Sequence, residues 1–430
     1  MITSTVFAFL ALVIVVVLTS TVVKIPAPFG LVLSAIAAGL VAGIGLPVLN
    51  LIEGSFGFFY IVLTFGCGLI LVKVMEEIGF NESIKYYLLT HLGKKPALLF
   101  LSLMFLMMIP GMLTGIGSVA VISTGAVVAS VLLGMGVPKS WTAVFIITGA
   151  ILGMIAPPVN LPLMYMGVLI ALPYEGFTWI LMIMTFPLAI LFALWIGFGF
   201  SDRSTLENGA LEIQAPSGEG VPGKTGLYVY IPIILVIVLL VCERTVPHWP
   251  EMALPLVLMI GALVGLPVLG FRRFFNASAE ALKGQAFIIL MIILTAGIKG
   301  EFLSLSGVRG LLATFFFAVV PAWLFLPSLI SLPLLGAFGT VFGATFILGY
   351  PFVLALLPKS SIIAAAALSL IAAVADIMPP TALSGNLATH LVGEDKYRGI
   401  FARSLIPAAF MIAVAIVVII LADPLSRLLT

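Results

Sequence analysis

Runs of about twenty apolar residues, parted by short clusters of charge, glycine and proline, recur along the whole chain, and a helix of that length crosses a hydrocarbon core about 30 Å thick. They fall near residues 3–22, 28–50, 55–75, 141–172, 178–199, 226–242, 252–271, 284–299, 361–391 and 404–422. The alternation of a membrane β-strand is absent from them, so the spans read as helices. Two further apolar stretches, 97–135 and 310–357, are too long for one helix. Each has a glycine-rich interruption in its middle, Gly115-Ile116-Gly117-Ser118 in the first and Gly336-Ala337-Phe338-Gly339-Thr340 in the second. Each is either a re-entrant hairpin or a pair of full spans. The pattern predicts an all-α polytopic membrane protein with about ten transmembrane helices and two re-entrant hairpins.

Composition makes lipid the solvent. Of 430 residues, 62% are hydrophobic and 8% charged, with a mean hydropathy of +1.32, whereas a soluble domain carries about 25% charged residues. A net charge of +2 gives a polyanion such as nucleic acid no footing. Cys67 and Cys242 lie in apolar runs and read as core residues, and His91, His248 and His390 lack metal-ligand spacing. There is no Walker motif, Ser/His/Asp set or paired carboxylate, so neither ATP-driven transport nor an enzyme is indicated. The N-terminal Met1-Ile2-Thr3-Ser4-Thr5 lacks the basic stretch of a secretory signal, and the first run is expected to stay as a span.

The distribution of Lys and Arg orients the chain. Hairpin or span pair, each interrupted stretch returns to the side it left, so the loops at 76–96, 136–140, 200–225, 272–283 and 392–403 share one side with Lys24 and with Lys73 at the end of its span. That side holds 14 of the 19 Lys and Arg, against Arg244, Lys299, Arg309, Lys359 and Arg427 on the other. The positive-inside rule makes the richer side cytoplasmic and turns both termini outward, in a bacterial-type inner membrane. The one long polar stretch, 201–225, reads as a cytoplasmic linker between a first half at 1–200 and a second at 226–430.

The halves repeat. Gly117-Ser118 precedes Pro157-Pro158 by 40 residues, Gly339-Thr340 precedes Pro379-Pro380 by 40, and the copies are offset by 222. The first half thus holds a hairpin at 97–135 and a broken helix at 141–172, and the second a hairpin at 310–357 and a broken helix at 361–391. Five spans and one hairpin make an odd number of crossings, so the second copy is expected upside down, the inverted-repeat build of secondary transporters.

Two successive prolines remove helix hydrogen bonds and clash with the preceding turn, so both proline pairs predict unwound backbone. Carbonyls freed at membrane depth are tolerated only where they are buried, line a cavity or bind something, and as uncharged oxygen ligands they suit Na⁺. Half-helix ends beyond the breaks point N–H groups and positive dipole ends at the centre, where an anion would sit. Candidate Na⁺ ligands are the oxygens around Gly117, Ser118, Pro157, Asn160, Gly339, Thr340 and Pro379, with the carboxylate of Asp376. Candidates facing a small organic anion are Ser118, Pro158, Asn160, Thr340, Pro380, Thr381, Ser384 and Asn386. Asn160 is either a ligand or a helix cap. Asp376, three residues before Pro379, is either a cation ligand or proton carrier, or an acid that caps the break or reaches water.

With its Gly-Ser tip, its proline-pair breaks and its inverted layout, essentially the whole chain resembles the large membrane subunit of TRAP transporters, within the ion transporter superfamily. The resemblance implies that Gly117, Ser118, Pro157, Pro158, Gly339, Thr340, Pro379 and Pro380 line Na⁺ sites around a carboxylate substrate. It also implies an elevator, in which the hairpin-bearing region moves against a scaffold of outer helices. A TRAP subunit would need a small four-helix membrane subunit and a periplasmic substrate-binding protein as partners. The alternative is a stand-alone ion-coupled carboxylate carrier of the same superfamily; an anion channel fits the broken, repeated arrangement less well.

Overall fold

The computed structural model describes residues 2–23, 25–170, 172–201, 227–311, 314, 329–334, 345, 352–353, 356, 360–379 and 381–429. Residues 202–225 of the linker, most of the 310–357 stretch including Gly339 and Thr340, and Pro380 lie outside the described residues. Among the described residues every regular element is a helix, as required where lipid offers the backbone no partner.

The first half comprises α1 (Ile2–Val17, continued by a π-helical turn Leu18–Val22), α2 (Ala27–Val41), α3 (Val48–Gly57), α4 (Phe59–Glu77) and α5 (Phe80–Leu92). It continues with α6 (Pro96–Thr114), α7 (Gly117–Gly134), α8 (Lys139–Ile155), α9 (Leu161–Ile170) and α10 (Thr178–Phe200). The second half comprises α11 (Ile231–Thr245), α12 (Leu254–Leu263), α13 (Leu266–Leu269), α14 (Phe271–Ala281) and α15 (Gln285–Leu305), then α16 (Ser361–Ala373), α17 (Leu383–Leu391), α18 (Tyr397–Ile420) and α19 (Ala422–Leu429). Among the described residues, seven helices are long and apolar enough to cross a membrane, and five apolar helices are shorter. The outer surface carries exposed large apolar side chains such as Phe7, Leu49 and Phe410, the surface of a chain solvated by hydrocarbon.

Two apolar runs are not the single spans their hydropathy predicts. The run 28–50 stops being helical after Val41 and restarts at Val48, because Gly43 and Gly45 take positive φ and Pro47 cannot carry a helix onward. The run 252–271 gives only the short α12 and α13 before Gly270 turns the chain into α14. In α14, Phe274 and Ala277 face inward, Phe271 and Phe275 outward, and Arg272 and Arg273 are exposed. That three-faced pattern fits a helix lying along the membrane surface.

The helices pack as two clusters. In one, α1 lies on α2, α2 and α3 on α15, and α4 on α12, α14 and α15. In the other, α6, α7, α8 and α10 pack together and receive α16, α17 and α18 from the second half. The main seams between them run where α4 meets α6 and α9, and where α5 meets α6 and α7. The α6–α7 hairpin, both broken helices and all described candidate residues belong to the second cluster.

Candidate ion and substrate site

Both proline pairs break their helices as the sequence predicts. A residue before proline is pushed out of the helical region by the ring. Ala156 accordingly takes φ −71° and ψ 148°, ending α8, and Met378 takes φ −79° and ψ 122° after a short 3₁₀ turn, Val374–Ile377. The chain resumes as α9 after the first pair and α17 after the second. The broken helices cross head to tail: α8 packs on α17 and α16 packs on α9, so each break lies beside the other.

The turn of the α6–α7 hairpin is buried between the two breaks. Gly115 adopts φ +69°, and a Cβ there would stand 3.0 Å from the backbone nitrogen of Leu161 and 3.0 Å from Val159 Cγ1. The Val159 N–H donates to the Met112 carbonyl at 3.2 Å, tying the first break to the hairpin arm. On the other side of the turn, a Cβ on Gly117 would stand 2.9 Å from Ser384 Oγ and 3.0 Å from Asp376 Oδ2. Only a residue without a side chain lets the N-terminus of α7 approach the second break this closely. Ser118, next in the chain, is 2% exposed, and among the described residues its hydroxyl has no hydrogen-bonding partner.

At the second break, the Ser384 hydroxyl donates to Asp376 Oδ2, and the Ser384 backbone N–H also faces that carboxylate. Asp376 is therefore a buried acid (6% exposed) lying between the N-terminal ends of α7 and α17, where helix dipoles favour negative charge. Thr381 reaches the Met378 carbonyl at 3.5 Å. Thr381 and Asn386 are half-buried and Pro379 is exposed.

The first break is closed by hydrogen bonds. Asn160, fully buried, donates from Nδ2 to the Ile155 carbonyl at 3.1 Å and to Ser369 Oγ at 2.9 Å. Its Oδ1 accepts the Leu163 N–H at 2.9 Å, the bond of a helix N-cap. Both amide hydrogens and the carbonyl are thus engaged, and the Ser369 bond joins the first half of the chain to the second. Pro157 is buried and Pro158 half-buried in the same turn. Asn160→Ala removes all three bonds, and at roughly 1 kcal/mol each it should lower the unfolding free energy by about 3 kcal/mol. Thermal unfolding in detergent checks this; a variant as stable as the parent would show the amide to be dispensable for folding.

Three residues at the breaks carry no signal in hydropathy alone. Ser369 sits in an alanine- and leucine-rich helix. Tyr174 and Tyr397 follow the second half-helices, 223 residues apart where the proline pairs are 222 apart. Among the described residues, no group of three or more His, Cys, Asp or Glu is gathered. The oxygens present are hydroxyls, carbonyls and one carboxylate, a donor set that suits a hard monovalent cation better than a transition metal.

A buried helical hairpin wedged between two crossed, interrupted helices and flanked by a frame of spans defines a polytopic membrane fold that is also found in solved transporters. The YdaH transporter of Alcanivorax borkumensis superposes with a TM-score of 0.60 at 17% identity, over 87% of this chain and 88% of its own. MtrF of Neisseria gonorrhoeae, which represents a class of antimetabolite efflux pumps, superposes with a TM-score of 0.59 at 16% identity, over 90% of this chain and 84% of its own. Both solved structures are of transport proteins, one a transporter and the other an efflux pump. The likeness is one of fold and does not single out TRAP subunits. No family and no curated protein matches the sequence.

Proposed function

We propose that this protein is a secondary carrier that moves a small organic anion, a carboxylate by preference, across a bacterial-type inner membrane in exchange for the free energy of a Na⁺ gradient. The observation that carries the reading is the meeting of Gly117, which precedes the buried Ser118, with Asp376 and Ser384, deep in a chain whose surface is made for lipid. An acid, two helix N-termini and, beside them, a hydroxyl with no partner among the described residues converge there. Between them they offer oxygens to a cation and N–H groups to an anion. Na⁺ and the anion are cargo in this scheme, and the cluster of α6–α10 with α16–α18 is the body that carries them past the frame of α1–α4 and α11–α15.

Of the two forms a carrier of this superfamily can take, the fold shared with YdaH and MtrF favours a self-sufficient chain over a TRAP-type subunit that waits on a four-helix partner and a binding protein. The same likeness leaves the working direction to the gradients. Because binding at one site couples two solutes reciprocally, the same chemistry serves uptake or export.

The test is reconstitution of this chain alone in liposomes, assayed with a panel of carboxylates with and without an imposed Na⁺ gradient. Saturable, Na⁺-stimulated flux supports the proposal. Flux that follows a proton gradient and ignores Na⁺ replaces the ion, and flux only after adding a second membrane chain and a binding protein restores the TRAP reading. Ser118→Ala should raise the Na⁺ concentration for half-maximal flux by about tenfold, the effect of losing one oxygen ligand of hydrogen-bond strength. An unchanged Na⁺ dependence removes the hydroxyl from the ion site.

A further inference from the structure

Each proline pair strands carbonyls that its helix can no longer bond, and inside a membrane such oxygens must find donors. In both breaks one donor is a tyrosine hydroxyl arriving from beyond the second half-helix. Tyr174, between α9 and α10, donates to the Pro158 carbonyl at 3.0 Å and accepts the Asn160 N–H at 3.0 Å, so one hydroxyl bridges the break. Tyr397, the first residue of α18, donates to the Ile377 carbonyl at 2.7 Å. Its ring and hydroxyl lie so close to Gly385 of α17 that a Cβ there would run into them. The two tyrosines stand 223 residues apart, one more than the 222 between the proline pairs.

The residues that follow the prolines differ between the halves, Val159-Asn160 in one and Thr381-Ala382 in the other. Each half nonetheless brings a tyrosine hydroxyl to a carbonyl of its own break, at Pro158 within the first proline pair and at Ile377, two residues ahead of the second. From this recurrence we infer that Tyr174 and Tyr397 are a matched pair of positioning residues: each hydroxyl pins the backbone of its own break, so that the oxygens and N–H groups left over are held in the geometry that receives ion and anion. Each link also ties a half-helix to the span that follows it, within the cluster that carries the site. This role rests on the carrier reading given above, because it assigns the pinned geometry a purpose.

Tyr174→Phe and Tyr397→Phe keep the rings and remove only the hydroxyls. Hydrogen–deuterium exchange of the full chain in lipid nanodiscs, without Na⁺, reads the latches directly. Exchange at 378–386 should rise about tenfold in Tyr397→Phe, the effect of one lost hydrogen bond on local opening, and exchange at 156–163 should rise further in Tyr174→Phe, which loses two. Elsewhere the exchange should match the parent, and the melting temperature should fall by no more than the bonds removed account for. Na⁺ added alone is the second probe: the concentration that half-protects the breaks should rise about tenfold in each variant. Breaks that exchange as in the parent overturn the inference. So does a rise spread evenly over the chain with a larger fall in melting temperature, which would mark a general packing role. If Na⁺ fails to protect the parent protein, the coupling ion proposed above is wrong, while the Na⁺-free exchange still decides the tyrosines.

Discussion

Asp376→Asn is expected to abolish most coupled flux in a protein that still folds. Asparagine keeps an oxygen that can accept the Ser384 hydroxyl at the start of α17, but it removes the negative charge lying beside Gly117. A hydrogen bond to a charged group contributes about 2 kcal/mol, so the loss should reach roughly thirtyfold or more, with melting close to that of the parent. Asp376→Ala goes further. It leaves the Ser384 hydroxyl unpaired and α17 without its cap, a loss of about 1 kcal/mol in stability beyond the effect on flux. Reconstituted flux and thermal melting of the two variants together separate the roles. An asparagine variant that moves cargo at the parent rate with the parent ion dependence would reduce Asp376 to a structural cap.

Bulk at Gly117 should be almost as damaging, for a steric reason. A first carbon there meets Ser384 Oγ at 2.9 Å, Asp376 Oδ2 at 3.0 Å and the Ala150 carbonyl at 3.4 Å. The two side chains are buried and bonded to each other, so neither can give way without breaking that bond. Overpacking of this kind costs about 1–3 kcal/mol. Gly117→Ala should therefore slow flux about tenfold and Gly117→Val should stop it. Gly199→Ala, where an added carbon meets nothing within 4 Å, should leave flux unchanged. If Gly117→Val carries cargo normally, the hairpin turn and the second break do not work as one site.

Much of this was legible in the sequence because it is local. A proline pair dictates its own break, and Ala156 and Met378 take the extended backbone that the following ring imposes. The Gly117-Ser118 turn and its spacing to the first prolines likewise follow from counting. What counting cannot give is which distant elements meet: Gly117 lies against residues more than 250 positions away, and nothing in either segment names the other. Asn160 shows a second limit. Cap and ligand are the same residue type at the same spacing, and only the bonds to Ile155, Ser369 and Leu163 show how its amide is spent in this conformation. Hydropathy also overreads continuity, since Gly43, Gly45 and Pro47 end a helix inside a stretch that is apolar on both sides.

The Asn160–Ser369 bond has a consequence for energetics. The positions 222 residues away from its two partners are Ala382 and Ile147, neither of which can form a side-chain hydrogen bond. A carrier whose halves trade shapes as it turns from one side of the membrane to the other would hold this clasp in one posture and find no counterpart in the other. In the carrier proposed above this one bond would favour one posture, and an imbalance of about 1.4 kcal/mol would park roughly ten molecules on one side for each on the other. Binding of cargo and ion would then have to offset that bias to populate the less favoured posture, so the empty protein would have a preferred side from which to load.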